Sequence, residues 1–223
     1  MAANSGAVPE KRKIFVVDDH PVVRQGIAML VNHEGDMEVC GDSDSAVVAL
    51  KEIDRLKPDL AIVDLSLKDG NGMDLIKDLR IRYPKLSVLV LSMHDESFYA
   101  ERVLRAGARG YIAKDEGTDK VVEGIRRVLT GEVFLSDKMA SKMISTAVGG
   151  RAGQGAPSVE SLTDRELQVF ELIGSGLGTR QIARSLHLSV KTIDSHREHI
   201  KQKLGLGGAA ELVKHAVQWV HCQ

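Results

Sequence analysis

The sequence predicts a two-part chain: an α/β unit on a five-stranded parallel sheet, then a second, all-α unit. Three observations carry this. Five short apolar runs, "KIFVV", "MEVCG", "LAIVD", "SVLVLS" and "GYIA", alternate with amphipathic stretches near 21–32, 45–56, 71–83, 97–106 and 118–130. A stretch rich in Gly, Ser and Ala, "GGRAGQGAPSVES", breaks that rhythm from Gly149 to Ser161. Beyond it, apolar residues recur only at helical spacing.

Residues 1–12 have no apolar segment after a basic one, so they do not form a secretory signal and read as a disordered lead-in. The run Ile14 to Val17 has the continuous apolar character of a strand buried on both faces. Parallel strands need crossovers, which are right-handed, and such sheets gather ligands at the carboxyl ends of their strands. The α/β unit is placed at 13–131. "DKMASKMISTAV" spaces Met139, Met143 and Ile144 as a helix, so 132–161 reads as a helix followed by a flexible linker.

The all-α unit is placed at 162–223. Thr163 and Glu166 have the spacing of a capping box, with Leu162 and Leu167 as its hydrophobic staple. That helix runs to about Gly174, and "GSGLG" is a turn. Helix 179–186 gathers Ile182, Ala183 and Leu186 on one face. After "HLS", Ser189 caps a longer helix to about Leu204, whose Ile193, Ile200 and Leu204 share a face. A last helix covers 209–219.

Composition is that of a soluble globular protein, with 43% hydrophobic and 27% charged residues among 223. No apolar run reaches the length of a membrane span. Cys40 and Cys222 read as one buried and one frayed thiol, in keeping with a reducing cytosol. Net charge is −1. From Gly150 onward nine Lys and Arg face seven Asp and Glu, an asymmetry too small to declare a nucleic-acid partner.

Asp18 and Asp19 follow the first strand, and Asp64 ends the third, so all three meet at one sheet edge. Two unit charges about 4 Å apart repel by roughly 4 kcal/mol at an effective dielectric of 20, so the cluster calls for a cation. Carboxylate oxygens suit Mg²⁺, which shares its remaining positions with water and phosphate. Paired turn aspartates without function would look the same in isolation. Ser92 ends the fourth strand and Lys114 the fifth, which adds a hydroxyl and an ammonium at that edge. Together these groups form a phosphoryl-binding set in which Asp64 is the nucleophile, since carboxylates form acyl-phosphates.

"VVDDHPVVRQGI", "DLAIVDLSLKDGNGMDLI", "VLVLSMHDE" and "ARGYIAKD" resemble the receiver domain of two-component response regulators, in order and spacing, over residues 13–130. The resemblance implies a flavodoxin-like sheet and phosphorylation of Asp64 by a histidine kinase. It implies Mg²⁺ held by Asp18, Asp19, Asp64 and the backbone carbonyl of Ser66. It casts Ser92 and Tyr111 as a switch pair, although Tyr111 by itself is as well explained as a core aromatic. Receivers often carry a cis proline after this lysine. Asp115 stands here, and a cis bond before a non-proline costs about 3–4 kcal/mol, which puts the reach of Lys114 in doubt.

"LTDRELQVFELIGSGLGTRQIARSLHLSVKTIDSHREHIKQKLGL" resembles the LuxR-type DNA-binding domain over residues 160–221. The resemblance places a helix-turn-helix at 179–198, opening at Thr179, with the helix 190–204 in the major groove. Lys191 and Thr192 would contact phosphates, with Lys201 a further candidate, while Asp194 and Ser195 stand where family members read bases. Acidic Asp194 and Glu198 could accept from cytosine N4 or exclude wrong sites. The last helix, with Leu212, Val213, Ala216 and Val217, resembles the family's dimerisation element, though packing inside the domain would use the same residues. His196 and His199 are spaced as a metal pair, but no third ligand completes a zinc site.

The whole chain thus resembles a NarL/FixJ-type response regulator. The implied protein is a cytoplasmic, phosphorylation-controlled transcription factor, not an enzyme, that dimerises on phosphorylation or on promoter DNA. A Mg²⁺-dependent phosphatase with an Asp nucleophile is the enzyme alternative, and Ser66 stands where its second Asp would be. A third reading is an interaction module that no longer accepts phosphate.

Overall fold

The computed structural model describes residues 11–68, 70–148 and 158–221. Most of the expected disordered lead-in, residues 149–157 of the expected linker, and Cys222 lie outside them. The chain divides into two compact units, Met1–Asp137 and Lys138–Gln223.

The first unit runs β1 (Arg12–Val17), α1 (Pro21–His33), β2 (Met37–Ser43), α2 (Ala46–Leu56), β3 (Leu60–Val63), the two-residue strands β4 (Ser66–Leu67) and β5 (Gly70–Asn71), α3 (Gly72–Arg82), β6 (Ser87–Ser92), α4 (Glu96–Ala106), β7 (Gly110–Ala113) and α5 (Thr118–Leu129). Five parallel strands form one sheet in the order β2-β1-β3-β6-β7. Every residue of β3 is buried, which is why its sequence is continuously apolar rather than alternating. Ile14, Ile62, Leu89 and Ile112 from the strands pack with Ile27, Ile125 and Val128 from the helices.

Helices start where strands end, and their caps are local. Ser45, Asn71 and Asp95 accept backbone N–H bonds from Val48, Met73 and Ser97, opening α2, α3 and α4. The antiparallel β4–β5 pair was not foreseen, because strands of two residues carry no readable period. It lies between Asp64 and Gly72. A Cβ at Gly72 would stand 2.0 Å from Asp64 O and 2.7 Å from Leu65 Cα, so only glycine lets α3 begin this close to the Asp64 backbone.

The second unit contains α6 (Asp137–Val148), α7 (Asp164–Gly174), α8 (Thr179–Ser185), α9 (Val190–Leu204) and α10 (Ala209–His221). The apolar spacing read in α6 is only partly used: Met139 is buried and Ile144 is exposed. Residues 158–161, read as the end of the linker, form a capped 3-10 turn in which Ser158 Oγ accepts from Glu160 N and Val159 is buried. The capping box at Thr163 and Glu166 is present in both directions. A Cβ at Gly174 would meet Ala216 O at 2.5 Å, so glycine permits the close approach of α7 and α10. Phe170 packs between them, its ring centroid 5.6 Å from that of Trp219.

Candidate functional site

Acidic residues converge because the hydrogen-bond ladder of the sheet runs on past the strand ends. Asp18 N donates to Ser43 O at 3.1 Å, Asp64 N to Val17 O at 2.8 Å, and Lys114 N to Ser92 O at 2.8 Å. Each residue is held by the neighbouring strand, so the side chains meet at one carboxyl edge. Asp18 and Asp64 are each 2% exposed. Lys114 Nζ lies 2.7 Å from Asp18 Oδ2 and 2.6 Å from Asp64 Oδ2. Burial by itself would lower the pKa of this ammonium, but the bonds to two carboxylates outweigh it and hold the pKa above the ordinary lysine value. No peptide among the described residues is cis, and with Asp115 following in trans Lys114 reaches both acids.

The opposite edges of the carboxylates have other partners. Asp64 Oδ1 accepts from Ser66 N at 3.3 Å, and Asp18 Oδ1 accepts from His20 N at 2.8 Å. Asp19 Oδ1 lies 2.7 Å from His20 Nδ1, at ion-pair distance. That oxygen is buried without a hydrogen-bond partner, while the same ring nitrogen is hydrogen-bonded to Asp18 Oδ1 at 3.2 Å. One donor atom from each of Asp18, Asp19, His20 and Asp64 lies within 4.8 Å of the others. Three carboxylates and an orphaned buried oxygen fit a divalent cation.

Ser92 is fully buried, and its Oγ accepts from His94 N at 3.4 Å. Tyr111 is buried as well, and its hydroxyl donates to His94 O at 2.6 Å. Burial pushes the Tyr111 phenol far above its ordinary pKa, with a weaker opposing pull from its hydrogen bond to Ser92. His94 joins the two expected switch residues to the acceptor loop: its Nε2 is 3.0 Å from Ser66 Oγ, and its ring stacks 4.7 Å from Tyr99. Sequence reasoning missed His94 and His20. His94 sits in a loop without period. The signal for His20 was its place directly between two acids and a proline.

In the second unit, α8 and α9 form a helix pair around a short turn. Arg165 of α7 donates to Leu186 O at 3.1 Å and holds that turn. Ser189 Oγ accepts from Thr192 N at 3.0 Å and starts α9. Ile193, Ile200 and Leu204 are buried, while Lys191, Asp194, Ser195 and Glu198 are exposed. Thr179, at the start of α8, is half-buried. Thr192 is half-buried with its hydroxyl 2.7 Å from Ser189 Oγ, and Ser195 Oγ donates back to Lys191 O. Lys201 Nζ is 2.8 Å from Glu198 and is partly engaged there.

Glu166 anchors the helix pair. It is buried, closes the α7 capping box and lies 2.6 Å from Lys203 Nζ of α9. Burial would raise its pKa, but the bonds from Lys203 and the Thr163 backbone hold it below the usual carboxylate range. His199 lies 3.8 Å from the same carboxylate, while burial lowers the pKa of His196. Among the described residues these histidines join no group of three potential metal donors. Leu212 and Ala216 of α10 are buried within the unit, while Val213 is 41% exposed and Val217 half-buried. The four residues therefore do not act alike: two belong to the core of the unit and two remain on its surface.

Residues 14–126 match the family described as response regulator receiver domain, and residues 160–216 match bacterial regulatory proteins, luxR family. The oxygen regulatory protein NreC of Staphylococcus carnosus (strain TM300) is 36% identical over 211 residues, covering 92% of this chain and 97% of that protein. NreC of Staphylococcus aureus (strain JH9) is 35% identical over 210 residues, with the same coverage of 92% and 97%. RcsB of Salmonella enterica serovar Typhimurium, solved bound to promoter P1flhDC in the presence of phosphomimetic BeF3-, has the same fold, with a TM-score of 0.69 at 24% identity over 93% of this chain and 98% of that one. A LuxR-family two-component response regulator from Aurantimonas sp. SI85-9A1 aligns with a TM-score of 0.58 at 27% identity, over 62% of this chain and 99% of that one. With the acidic pocket in one unit and the helix-turn-helix in the other, the chain belongs to the response regulators that couple a receiver domain to a LuxR-type DNA-binding domain, the transcription regulators of two-component systems.

Proposed function

We propose that Asp64 accepts a phosphoryl group from a sensor histidine kinase and that this acceptance controls binding of α9 to promoter DNA. One observation carries the reading: Lys114 bridges Asp18 and Asp64, both buried, at the end of the central strands. Asp64 Oδ attacks the phosphorus of the donor, and the bond from phosphorus to the donor breaks. Lys114 offers its protons to the arriving phosphoryl oxygens, and the buried Ser92 hydroxyl offers another. Asp18, Asp19, Asp64 and the Ser66 carbonyl would hold Mg²⁺, which neutralises phosphoryl charge when bound. The charge gained at Asp64 biases Ser92, Tyr111 and the α4–β7 surface through the loop that carries His94.

On the DNA side, Lys191, Thr192 and Lys201 serve phosphates, and Asp194, Ser195 and Glu198 face base edges. Thr179 opens the helix pair. The exposed Val213 and half-buried Val217 of α10 suit pairing of two copies on DNA. No helix among the described residues is long and apolar enough to cross a membrane, in keeping with a cytoplasmic regulator.

The test is phosphorylation of the full chain by acetyl phosphate with Mg²⁺, followed by mapping of the modified residue by mass spectrometry. A single modification on Asp64, absent from Asp64→Asn, is expected. Modification of Asp18 or Ser66 in its place would overturn the assignment, and steady release of phosphate from monoesters would favour a phosphatase.

A further inference from the structure

We propose that Glu96 clasps the chain where it leaves the first unit, and that phosphorylation of Asp64 opens the clasp through the loop that carries His94. The inference rests on the reading of Asp64 as phosphoacceptor, and it adds the route by which that event reaches the start of α6. After α5 the chain returns along the edge of the sheet. Phe134 is buried and forms a parallel bridge with Gly110 of β7. Phe134 N donates to Arg109 O and Tyr111 N donates to Phe134 O, both at 2.9 Å. A Cβ at Gly110 would stand 2.9 Å from Phe134 O, so glycine at this position lets the segment lie against β7. β7 ends the sheet, and the bridge covers part of its open side.

With only Leu135 between, the segment then meets α4. Ser136 N donates to Glu96 Oε1 at 2.9 Å, and Ser136 Oγ donates to Glu96 Oε2. One carboxylate thus takes two donors from a residue 40 positions away. The next residue, Asp137, starts α6, and the division between the two units falls directly after it. Glu96 is the first residue of α4 and follows Asp95, whose side chain caps the helix. Asp95 in turn follows His94, whose N–H donates to Ser92 Oγ at 3.4 Å and whose carbonyl accepts the Tyr111 hydroxyl at 2.6 Å. The bond to Ser92 is long and easily given up. A Ser92 hydroxyl that turns to donate to a phosphoryl group on Asp64 draws its oxygen away from His94 N–H, and the loop ahead of α4 shifts with Glu96. Ser136 cannot follow, because Phe134 stays pinned to β7. A hydrogen bond stretched to 3.6 Å no longer holds, so a displacement of about 1 Å opens the clasp and frees the start of α6.

The experiment is amide hydrogen exchange of the full chain, resolved residue by residue by NMR, before and after treatment with acetyl phosphate and Mg²⁺. Mass spectrometry reads the modified fraction at Asp64. The Ser136 amide is expected to exchange at least about tenfold faster once Asp64 is modified, the factor for losing a hydrogen bond to a charged acceptor. The Phe134 and Tyr111 amides should keep their rates. Glu96→Ala should show the fast Ser136 rate without phosphate and no further change with it. Glu101→Ala, exposed on the same helix, should match wild type. An unchanged Ser136 rate in chains modified at Asp64 would overturn the proposal. So would a wild-type Ser136 rate in Glu96→Ala, or a loosening of Phe134 together with Ser136, which would mean that the whole segment leaves the sheet. Absence of modification at Asp64 would overturn the phosphoacceptor reading and the opening with it, while Ser136 exchange in unphosphorylated wild type and Glu96→Ala would still decide the clasp. The wild-type comparison needs no substitution and so stands even where a variant folds poorly.

Discussion

Lys114 Nζ stands 2.6 Å from Asp64 Oδ2, with side chains 7% and 2% exposed, and the same nitrogen holds Asp18 at 2.7 Å. One cation thus separates two buried carboxylates. Lys114→Met leaves them facing each other uncompensated, and breaking such a buried pair costs about 3–5 kcal/mol. Hydrogen exchange at the β1 and β3 amides, which reads the first unit separately, should quicken accordingly. Mg²⁺ should restore part of the protection, since an ion that binds only the folded pocket stabilises it. Unchanged exchange without metal would mean that Lys114 does not hold the acids.

Gly72→Ala tests the path by which α3 positions the acceptor. Its Cβ would fall 2.0 Å from Asp64 O, and a backbone oxygen cannot move aside as a side-chain tip can. A loss of about 1–3 kcal/mol is expected, together with slower phosphorylation as the Asp64 loop shifts. Gly117→Ala, with nothing within 4 Å of the added Cβ, is the matched control. Chemical unfolding and the initial rate with acetyl phosphate measure both effects. Equal behaviour of the two variants would show that the loop accommodates the methyl.

Glu166 gives the DNA-binding unit an acid-sensitive joint. Its folded pKa lies below the ordinary glutamate value, so its contribution is complete above that ordinary value and is lost as the pH falls through the lowered folded pKa. Glu166→Gln should remove this dependence and weaken the unit at neutral pH, because Lys203 loses its charged partner. Exchange at the α7 and α9 amides, followed from pH 6 down to about 3, measures the slope. A slope unchanged in Glu166→Gln would assign the acid sensitivity elsewhere.

Two residues of α9 should separate affinity from specificity. Lys191 is exposed at the start of the helix, so Lys191→Ala should weaken binding about evenly across sequences and reduce the salt slope by about one unit. Ser195 Oγ bonds back to Lys191 O at 3.1 Å, so it must turn outward to meet a base. Ser195→Ala should therefore alter base preference with little change in slope. Binding to a randomised operator library at several salt concentrations decides between the two roles, and the reverse pattern would exchange them.

The period of the sequence determined the order of the five sheet strands and the longer helices, though not the short β4–β5 pair. Short continuous apolar runs such as "LAIVD", alternating with amphipathic stretches, read as strands buried on both faces, and the rule that parallel sheets collect ligands at carboxyl ends then placed Asp18, Asp19, Asp64, Ser92 and Lys114 at one edge. The capping box at Thr163 was legible because it is local, requiring only four consecutive residues. Contacts between distant residues were not legible. Lys203 and Glu166 are 37 positions apart, and only the packing of α9 on α7 joins them. His94 links Ser66 to Tyr111 because two loops and β7 converge, and no period in "SMHDE" announces it. The division of α10 followed the same rule: its sequence presents Leu212, Val213, Ala216 and Val217 as equals, and the close approach to α7 at Gly174 decides which are buried. Local pattern fixes which face of an element is apolar, whereas the neighbour that covers that face is chosen by the whole fold.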